Sequence, residues 1–162
     1  MNEALLQCVR VPGIDRLVAG AVVHSEAGVL VVRRSLTDDF LPGVEELPSG
    51  GCDEGETVAE ALNRELQEEI GWRGPVVVDG GFVTHFDYVT GSGATARQHT
   101  FSVPLGDQVV RLSPEHSSWR WLRRADLDTS DLTAKTRRTV EEWWSHQVHH
   151  PSDGSVMSSA KG

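Results

Sequence analysis

Residues 50–72 have the sequence GGCDEGETVAEALNRELQEEIGW, a glycine-rich loop followed by an acidic segment with helical periodicity. Thr57, with Glu60 three residues later, matches the capping box of a helix N-terminus. Gly71 stands where a left-handed residue commonly follows the end of a helix. The pattern therefore predicts a helix over residues 57–70.

The predicted helix has an apolar face with carboxylates at its border. At about 100° per residue, this face is formed by Ala59, Leu62, Leu66 and Ile70, with Val58 and Ala61 at its border. Glu65, Glu68 and Glu69 are related by i, i+3 and i+4, so three carboxylates converge beside apolar surface. Two carboxylates about 5–6 Å apart in such a place repel by roughly 3 kcal/mol at an effective dielectric near 20. A hard divalent cation such as Mg²⁺ would neutralise them.

The spacing alone leaves two interpretations of the acidic patch open. One is a metal site, and the other is a solvated acidic face, where like charges cost roughly a few tenths of a kcal/mol per pair. Arg64 lies four residues after Glu60 and four before Glu68, so it could hold a carboxylate in a fixed orientation. An ordinary surface ion pair is the alternative for Arg64.

The same segment resembles the Nudix box. That box reads Gly, five residues, Glu, seven residues, Arg-Glu, an apolar residue, any residue, Glu-Glu, any residue, Gly and an apolar residue. Every fixed position is filled, by Gly50, Glu56, Arg64, Glu65, Leu66, Glu68, Glu69, Gly71 and Trp72. The resemblance implies an α+β fold, the Nudix α/β/α sandwich with a mixed β-sheet between helices.

The resemblance also implies a metal site and a reaction. It assigns Glu65, Glu68 and Glu69 to Mg²⁺, with Mn²⁺ as the alternative ion, and adds the Gly50 carbonyl as a ligand. The ion would bridge diphosphate oxygens and activate a water for in-line attack on phosphorus. The expected enzyme is a pyrophosphohydrolase that cleaves a nucleoside diphosphate linked to another moiety.

Three carboxylates are candidates for the general base of this reaction. They are Glu68, Glu69 and Glu115, the last of which precedes a late strand and is otherwise a solvated loop acid. Arg64, which we group with the catalytic residues, would hold the loop and helix together with Glu56.

Four residues are candidates for substrate binding. Arg33 and Arg34 end a predicted strand, where they would contact a phosphate or form a solvated strand end. Glu46 would add a carboxylate to the metal region. Tyr88 follows Trp72 by sixteen residues, where a tyrosine in some Nudix proteins resembles a marker of dinucleoside polyphosphate hydrolases. His85 and His99 could bind metal, but we favour a structural role for both.

Hydrophobic patterning predicts a strand-rich chain with two helices. Strands are expected over residues 17–24, 28–34, 44–47, 75–78, 82–90, 99–105 and 118–122. A bulge is expected at residues 79–81, and an amphipathic helix with buried tryptophans over residues 134–146. This order indicates α+β rather than alternating βαβ units.

Composition sets the expected domain and setting. The chain has 162 residues, 38% of them apolar and 24% charged, which suits one domain over residues 1–147 and a disordered tail over 148–162. A net charge of -9 disfavours nucleic-acid polymers as partners and leaves a small nucleotide as the expected ligand. Without a membrane-length apolar run, a secretory signal or a cysteine framework beyond Cys8 and Cys52, a cytoplasmic setting is expected.

Several alternatives stay open. The substrate could be a nucleoside triphosphate, a nucleotide sugar, ADP-ribose or a dinucleoside polyphosphate. Family members are often dimers, which leaves a homodimer open. A nucleotide-sensing Nudix domain without turnover would usually have lost box carboxylates, which are all present here. Isopentenyl-diphosphate isomerisation would require a cysteine where Ser49 stands.

Overall fold

The structure is a computed structural model that describes residues 11–149, which form a seven-stranded mixed sheet with a helix on each face. The strands are β1 (Arg16–Ser25), β2 (Gly28–Arg34), β3 (Glu45–Glu46), β4 (Ser49–Gly51), β5 (Asp79–Val89), β6 (Thr95–Pro104) and β7 (His116–Leu122). The helices are α1 (Val58–Ile70) and α2 (Ala134–His149), and a 3₁₀ helix spans Arg124–Thr129. The predicted tail lies outside the described residues from position 150 onward, while positions 148 and 149 belong to α2.

Each face of the sheet has its own apolar core, because side chains alternate along the strands. The core beneath α1 includes Ala19, Ala21, Val23, Leu30, Val32, Ala61, Leu62, Leu66 and Phe101. The core beneath α2 includes Val22, Val29, Val31, Phe82, Leu122, Val140 and Trp143. The predicted sandwich and the buried position of Trp143 are confirmed. No helix among residues 11–149 is long and apolar enough to cross a membrane.

Strands β1 and β2 separate soon after their hairpin turn. They pair only at His24–Val29 and Ser25–Gly28, after which β4 pairs with β1 and β3 pairs with β2. On its other edge β1 runs parallel to β6, which makes the sheet mixed as predicted. The separation leaves a gap at one end of the sheet, between the β3 and β4 segments.

Helix α1 has the predicted ends but a rotated core face. The Thr57 side chain accepts a hydrogen bond from the Glu60 backbone N–H, and Gly71 has a φ of 71° in the left-handed region. Both features confirm the sequence pattern. The prediction that Ala59 belongs to the apolar face is wrong, because the buried stripe runs through Val58 and Ala61 instead and continues to Glu69.

Two further expectations need correction. Residues 75–78 do not form a strand, because the Val76 N–H donates to the Asn63 side chain of α1 at 2.8 Å and the segment packs along that helix. Strand β4 was not expected within the glycine-rich loop, since its three residues gain regular structure only by pairing with β1. The predicted bulge is confirmed by the register shift between Asp79 and Val83.

A buried ion pair joins three parts of the chain. The Glu45 side chain in β3 is 3% exposed and accepts hydrogen bonds from Arg120 Nε at 2.7 Å and Nη2 at 2.8 Å. It also accepts the backbone N–H of Asp131 at 3.0 Å. These bonds hold the pKa of Glu45 below its ordinary value. Glu45 therefore connects β3 to β7 and to the segment that precedes α2.

We expect Arg120→Met to lower the free energy of unfolding by about 1–3 kcal/mol, because it removes the bidentate partner of a buried carboxylate. Chemical denaturation at pH 7 measures this change. Arg123→Met, at an exposed position just after β7, is the matched control and should change stability by less than about 0.5 kcal/mol. Equal effects of the two substitutions would contradict this account of Glu45.

Candidate active site

A cleft of about 1060 Å³ opens at the end of the sheet where β1 and β2 separate. Its lining comes from β1, the end of β2 and the loop after it, β3, β4, α1, the β5–β6 hairpin, the loop before β7 and the start of α2. Most of the predicted site residues line this cleft, namely Arg34, Glu46, Gly50, Glu65, Glu68, Glu69, Tyr88 and Glu115. The separation of β1 from β2 thus forms a cleft that brings together residues that are far apart in sequence.

Gly50 makes room for the carboxylate of Glu65. A Cβ atom at position 50 would lie 1.9 Å from Glu65 Cδ, so any side chain there would displace the carboxylate or the strand. Gly50 pairs with Ala19 of β1, which fixes its backbone against α1. The Glu65 side chain is 13% exposed, and burial raises its pKa above the ordinary value.

Arg64 joins the loop to the helix through several hydrogen bonds. Its Nε donates to Glu56 Oε2 at 2.9 Å, and its Nη2 donates to Glu56 Oε1 at 2.9 Å and to the Gly51 carbonyl at 2.8 Å. Its Nη1 donates to Glu65 Oε1 at 2.8 Å. The Glu56 hydrogen bonds keep the pKa of Arg64 well above its ordinary value. These contacts match the role predicted for Arg64 and Glu56, and they also orient Glu65.

Glu69 is a buried acid that has few contacts to compensate for its loss of hydration. It is 5% exposed, and its Oε2 accepts the Ser49 backbone N–H at 3.0 Å. Burial, followed by the negative charges of Glu46 and Glu65, raises its pKa to about 9. Glu69 therefore retains a proton at neutral pH unless positive charge arrives in the cleft.

Glu68 and Glu115 differ from Glu69 in their exposure. The Glu68 side chain is 59% exposed and lies 3.5 Å from Arg64 Nη1, while Glu115 is an exposed loop residue. Glu115 contributes to the raised pKa of both Glu65 and Glu69. As their side chains stand, no three His, Cys, Asp or Glu residues within 11–149 are grouped closely enough to hold a metal ion.

Arg34 and Glu46 are engaged with each other in the cleft. Arg34 pairs with Glu46 at 3.2 Å and with Asp38 at 2.7 Å, and its Nε donates to the Phe40 carbonyl. The buried His116 lies 2.9 Å from Glu46 through its Nε2, and its Nδ1 has no partner among residues 11–149. Sequence reasoning missed His116, because its partner is seventy residues away.

Arg33 lies outside the cleft lining. A bulge between Arg33 and Arg34 in the β2–β7 pairing interrupts the register at these two residues. Arg33 donates to the Gly43 carbonyl at 2.7 Å and to Asp131 at 2.9 Å. The structure therefore places Arg33 in a loop contact, not beside the predicted phosphate site.

The sheet face of the cleft carries aromatic and polar side chains. Tyr88 is half-buried, and burial raises the pKa of its hydroxyl. Phe86 lies beside it, with ring centroids 5.9 Å apart, and Gln98 on the neighbouring strand is 7% exposed. Arg16, Phe86 and Gln98 were not predicted as site residues, since isolated strand positions give no motif. His85 and His99 face each other across β5 and β6, away from the cleft lining.

Comparisons with known proteins identify a family and a related enzyme. The model of the NUDIX domain family matches residues 15–144. A nucleoside triphosphatase, NudI, from Escherichia coli O17:K52:H18 is 25% identical over 133 residues, which cover 78% of this chain and 94% of that protein.

Solved structures share the fold. The MutT protein from Methanosarcina mazei Go1 aligns with a TM-score of 0.70 at 21% identity, over 85% of this chain and 99% of its own. An Ap4A hydrolase from C. elegans aligns with a TM-score of 0.71 at 20% identity, over 83% of this chain and 98% of its own.

We expect Glu69→Gln to stabilise the protein when metal is removed by a chelator. The acid has a pKa of about 9 in the folded chain and an ordinary value near 4.5 otherwise. Between these values the folded state binds a proton that the unfolded state lacks, so stability falls as pH rises. The gain should be about 1–3 kcal/mol at pH 8 and should vanish below pH of about 4.

Urea denaturation at several pH values in EDTA checks this expectation. Glu60→Gln, at an exposed position of the same helix, serves as control and should leave the pH slope unchanged. If Glu69→Gln retains the slope of the unmodified protein, Glu69 does not carry the extra proton.

Proposed function

This chain belongs to the Nudix hydrolase family, and we propose that it is a Mg²⁺-dependent pyrophosphohydrolase of small nucleoside diphosphate derivatives. The observation that carries the proposal is the buried Glu69, whose pKa is raised by burial and by its neighbours Glu46 and Glu65. A cluster of acids at the end of an open cleft is costly unless a cation offsets its charge. This energetic cost of the clustered acids supports the assignment of Glu65, Glu68 and Glu69 as metal ligands.

Glu65, Glu68 and Glu69, with the Gly50 carbonyl, would hold the ion, and Mn²⁺ is the alternative to Mg²⁺. The space over Gly50 supports this assignment, because a glycine there lets the Glu65 carboxylate lie against the loop backbone. When bound, Mg²⁺ would offset the charge of the diphosphate oxygens and lower the pKa of a coordinated water.

The protein's own residues would then position the reactants and receive a proton. Arg64 orients Glu65, and the Ser49 N–H orients Glu69. A water oxygen bonds to one phosphorus, the bridging P–O bond breaks, and the bridging oxygen leaves with the other phosphoryl group. The proton released by water passes to Glu68, Glu69 or Glu115, and the products are two phosphorylated halves.

The remaining cleft surface would select the nucleotide. Tyr88 and Phe86 offer aromatic faces, and the Arg34–Glu46 ion pair also lines the cleft. The related proteins are a nucleoside triphosphatase and an Ap4A hydrolase, so nucleoside triphosphates and dinucleoside polyphosphates are the first substrates to test. A sensing domain without turnover is the alternative.

We expect Mg²⁺-dependent cleavage of at least one compound in a panel of nucleoside triphosphates, nucleotide sugars, ADP-ribose and dinucleoside polyphosphates. Phosphate and nucleotide release are measured with Mg²⁺, with Mn²⁺ and in EDTA. Glu69→Gln should lower kcat by at least about 100-fold. Since this variant is expected to be the more stable protein in EDTA, unfolding would not explain its inactivity.

The sensing alternative has a different outcome. Wild type and Glu69→Gln would then be equally inactive on every compound, while at least one compound binds to both in calorimetry. That result would remove the hydrolase proposal and retain the cleft as a binding site.

We expect Gly50→Ala to reduce kcat by about 10-fold or more, because its Cβ would displace the Glu65 carboxylate. Gly80→Ala is a matched control, since a Cβ at position 80 meets no atom within 4 Å. Steady-state kinetics and thermal unfolding are measured for both variants. Unchanged kcat in a folded Gly50→Ala protein would argue against a role for Glu65 at the metal.

A further inference from the structure

The cleft contains few cations for a phosphate site, and most of them are engaged. Its lining includes the three cationic side chains Arg16, Arg34 and Lys135. Arg34 is paired with Asp38 and Glu46, and Lys135 donates to the carbonyl of Asp87. The side chain of Arg16 has no ion pair and no hydrogen bond within the part of the chain that the structure describes. Among the lining residues that the structure describes, its guanidinium is thus the cation that is available to a ligand.

Gly51 keeps a place open for Arg16. A Cβ at position 51 would lie 2.2 Å from Arg16 Nη2 and 2.6 Å from Arg16 Nε. The guanidinium therefore lies against the bare backbone of β4. Because successive residues of a strand face opposite sides, Gly50 borders Glu65 on one side of β4 and Gly51 borders Arg16 on the other. The two glycines give one short strand an acidic side and a basic side.

The surroundings of Arg16 suit the nucleoside half of a substrate. Arg16 pairs with Ala96 of β6, which pairs in turn with Tyr88 of β5, so the three residues form a row across the sheet. The positive charge of Arg16 acts on Tyr88, where it partly offsets the effect of burial on the pKa of the phenol. The next row contains Gln98 and Phe86, which provide an amide and an aromatic ring.

We propose that Arg16 is a specificity-determining residue that donates hydrogen bonds to a phosphate oxygen on the nucleoside side of the scissile bond. This inference rests on the proposed function, because it assumes that a diphosphate lies across β4 with its metal-bound part beside Glu65. Arginine suits the role, since its planar fork donates two parallel hydrogen bonds to phosphate and remains charged at every relevant pH. The bound substrate would then contact the acidic and the basic sides of β4 together.

Kinetics of Arg16→Gln and Arg16→Lys, on the best substrate from the panel, test the proposal. Arg16→Gln should raise KM by about 10- to 100-fold with kcat within about threefold, and Arg16→Lys should recover part of the loss. Gly51→Ala should act like Arg16→Gln, because its Cβ would displace the guanidinium. Arg73→Gln, an exposed arginine outside the cleft lining, is the control and should match wild type.

Binding provides a second readout that does not depend on turnover. The nucleoside monophosphate and the corresponding nucleoside are titrated into wild type and Arg16→Gln by calorimetry. Arg16→Gln should weaken binding of the monophosphate by about 10-fold or more and leave the affinity for the nucleoside unchanged. Equal weakening of both ligands would show that Arg16 contacts the base or ribose and would overturn the proposal.

The two proposals fail in different ways. If Glu69→Gln abolishes hydrolysis while Arg16→Gln matches wild type in KM and in monophosphate binding, the hydrolase stands and the role of Arg16 is wrong. If wild type hydrolyses no compound, monophosphate binding still tests Arg16, and a selective loss in Arg16→Gln would support a phosphate contact in a binding site.

Discussion

The buried carboxylate of Glu69 is the constraint around which this site is built. Helix α1 places Glu69 on the same stripe as Leu62, Leu66 and Ile70, so an acid shares the buried face with the core. The helix cannot rotate to expose it without exposing those apolar residues. The fold therefore holds an acid in a low-dielectric position, and the neighbouring Ser49 N–H fixes the direction of its oxygen.

Much of the acidic side could be predicted from sequence because its contacts are local. The spacing of Thr57, Glu60 and Gly71 determines the helix ends, and i, i+4 geometry determines which glutamates meet. Arg64 and Glu56 are eight residues apart across the loop-to-helix junction. A contact over so short a separation can be recognised from a sequence motif. The exact set of buried residues on α1 was harder to predict. Whether Ala59 or Ala61 is buried depends on the rotation at which the helix packs on the sheet.

The sheet side of the cleft could not be predicted in the same way. Arg16, Ala96 and Tyr88 meet only because β6 lies parallel to β1 and antiparallel to β5, and such long-range pairing has no short pattern. The roles of Arg33 and Arg34 depend on one bulge, which a sequence of alternating residues does not reveal. Likewise, Glu45 and Glu46 are adjacent acids with different partners, Arg120 for one and Arg34 with His116 for the other.

The early separation of β1 from β2 has a consequence for how such a protein can change over evolution. In the proposed function, the reaction would depend on α1 and the α1-facing side of β4, whereas ligand choice would depend on residues of β1, β5 and β6 that line the cleft. These two groups of positions belong to different segments of the chain. Substitutions that change the ligand preference can therefore accumulate on the sheet while the acidic helix is unchanged. One reaction can in this way be adapted to many nucleotides.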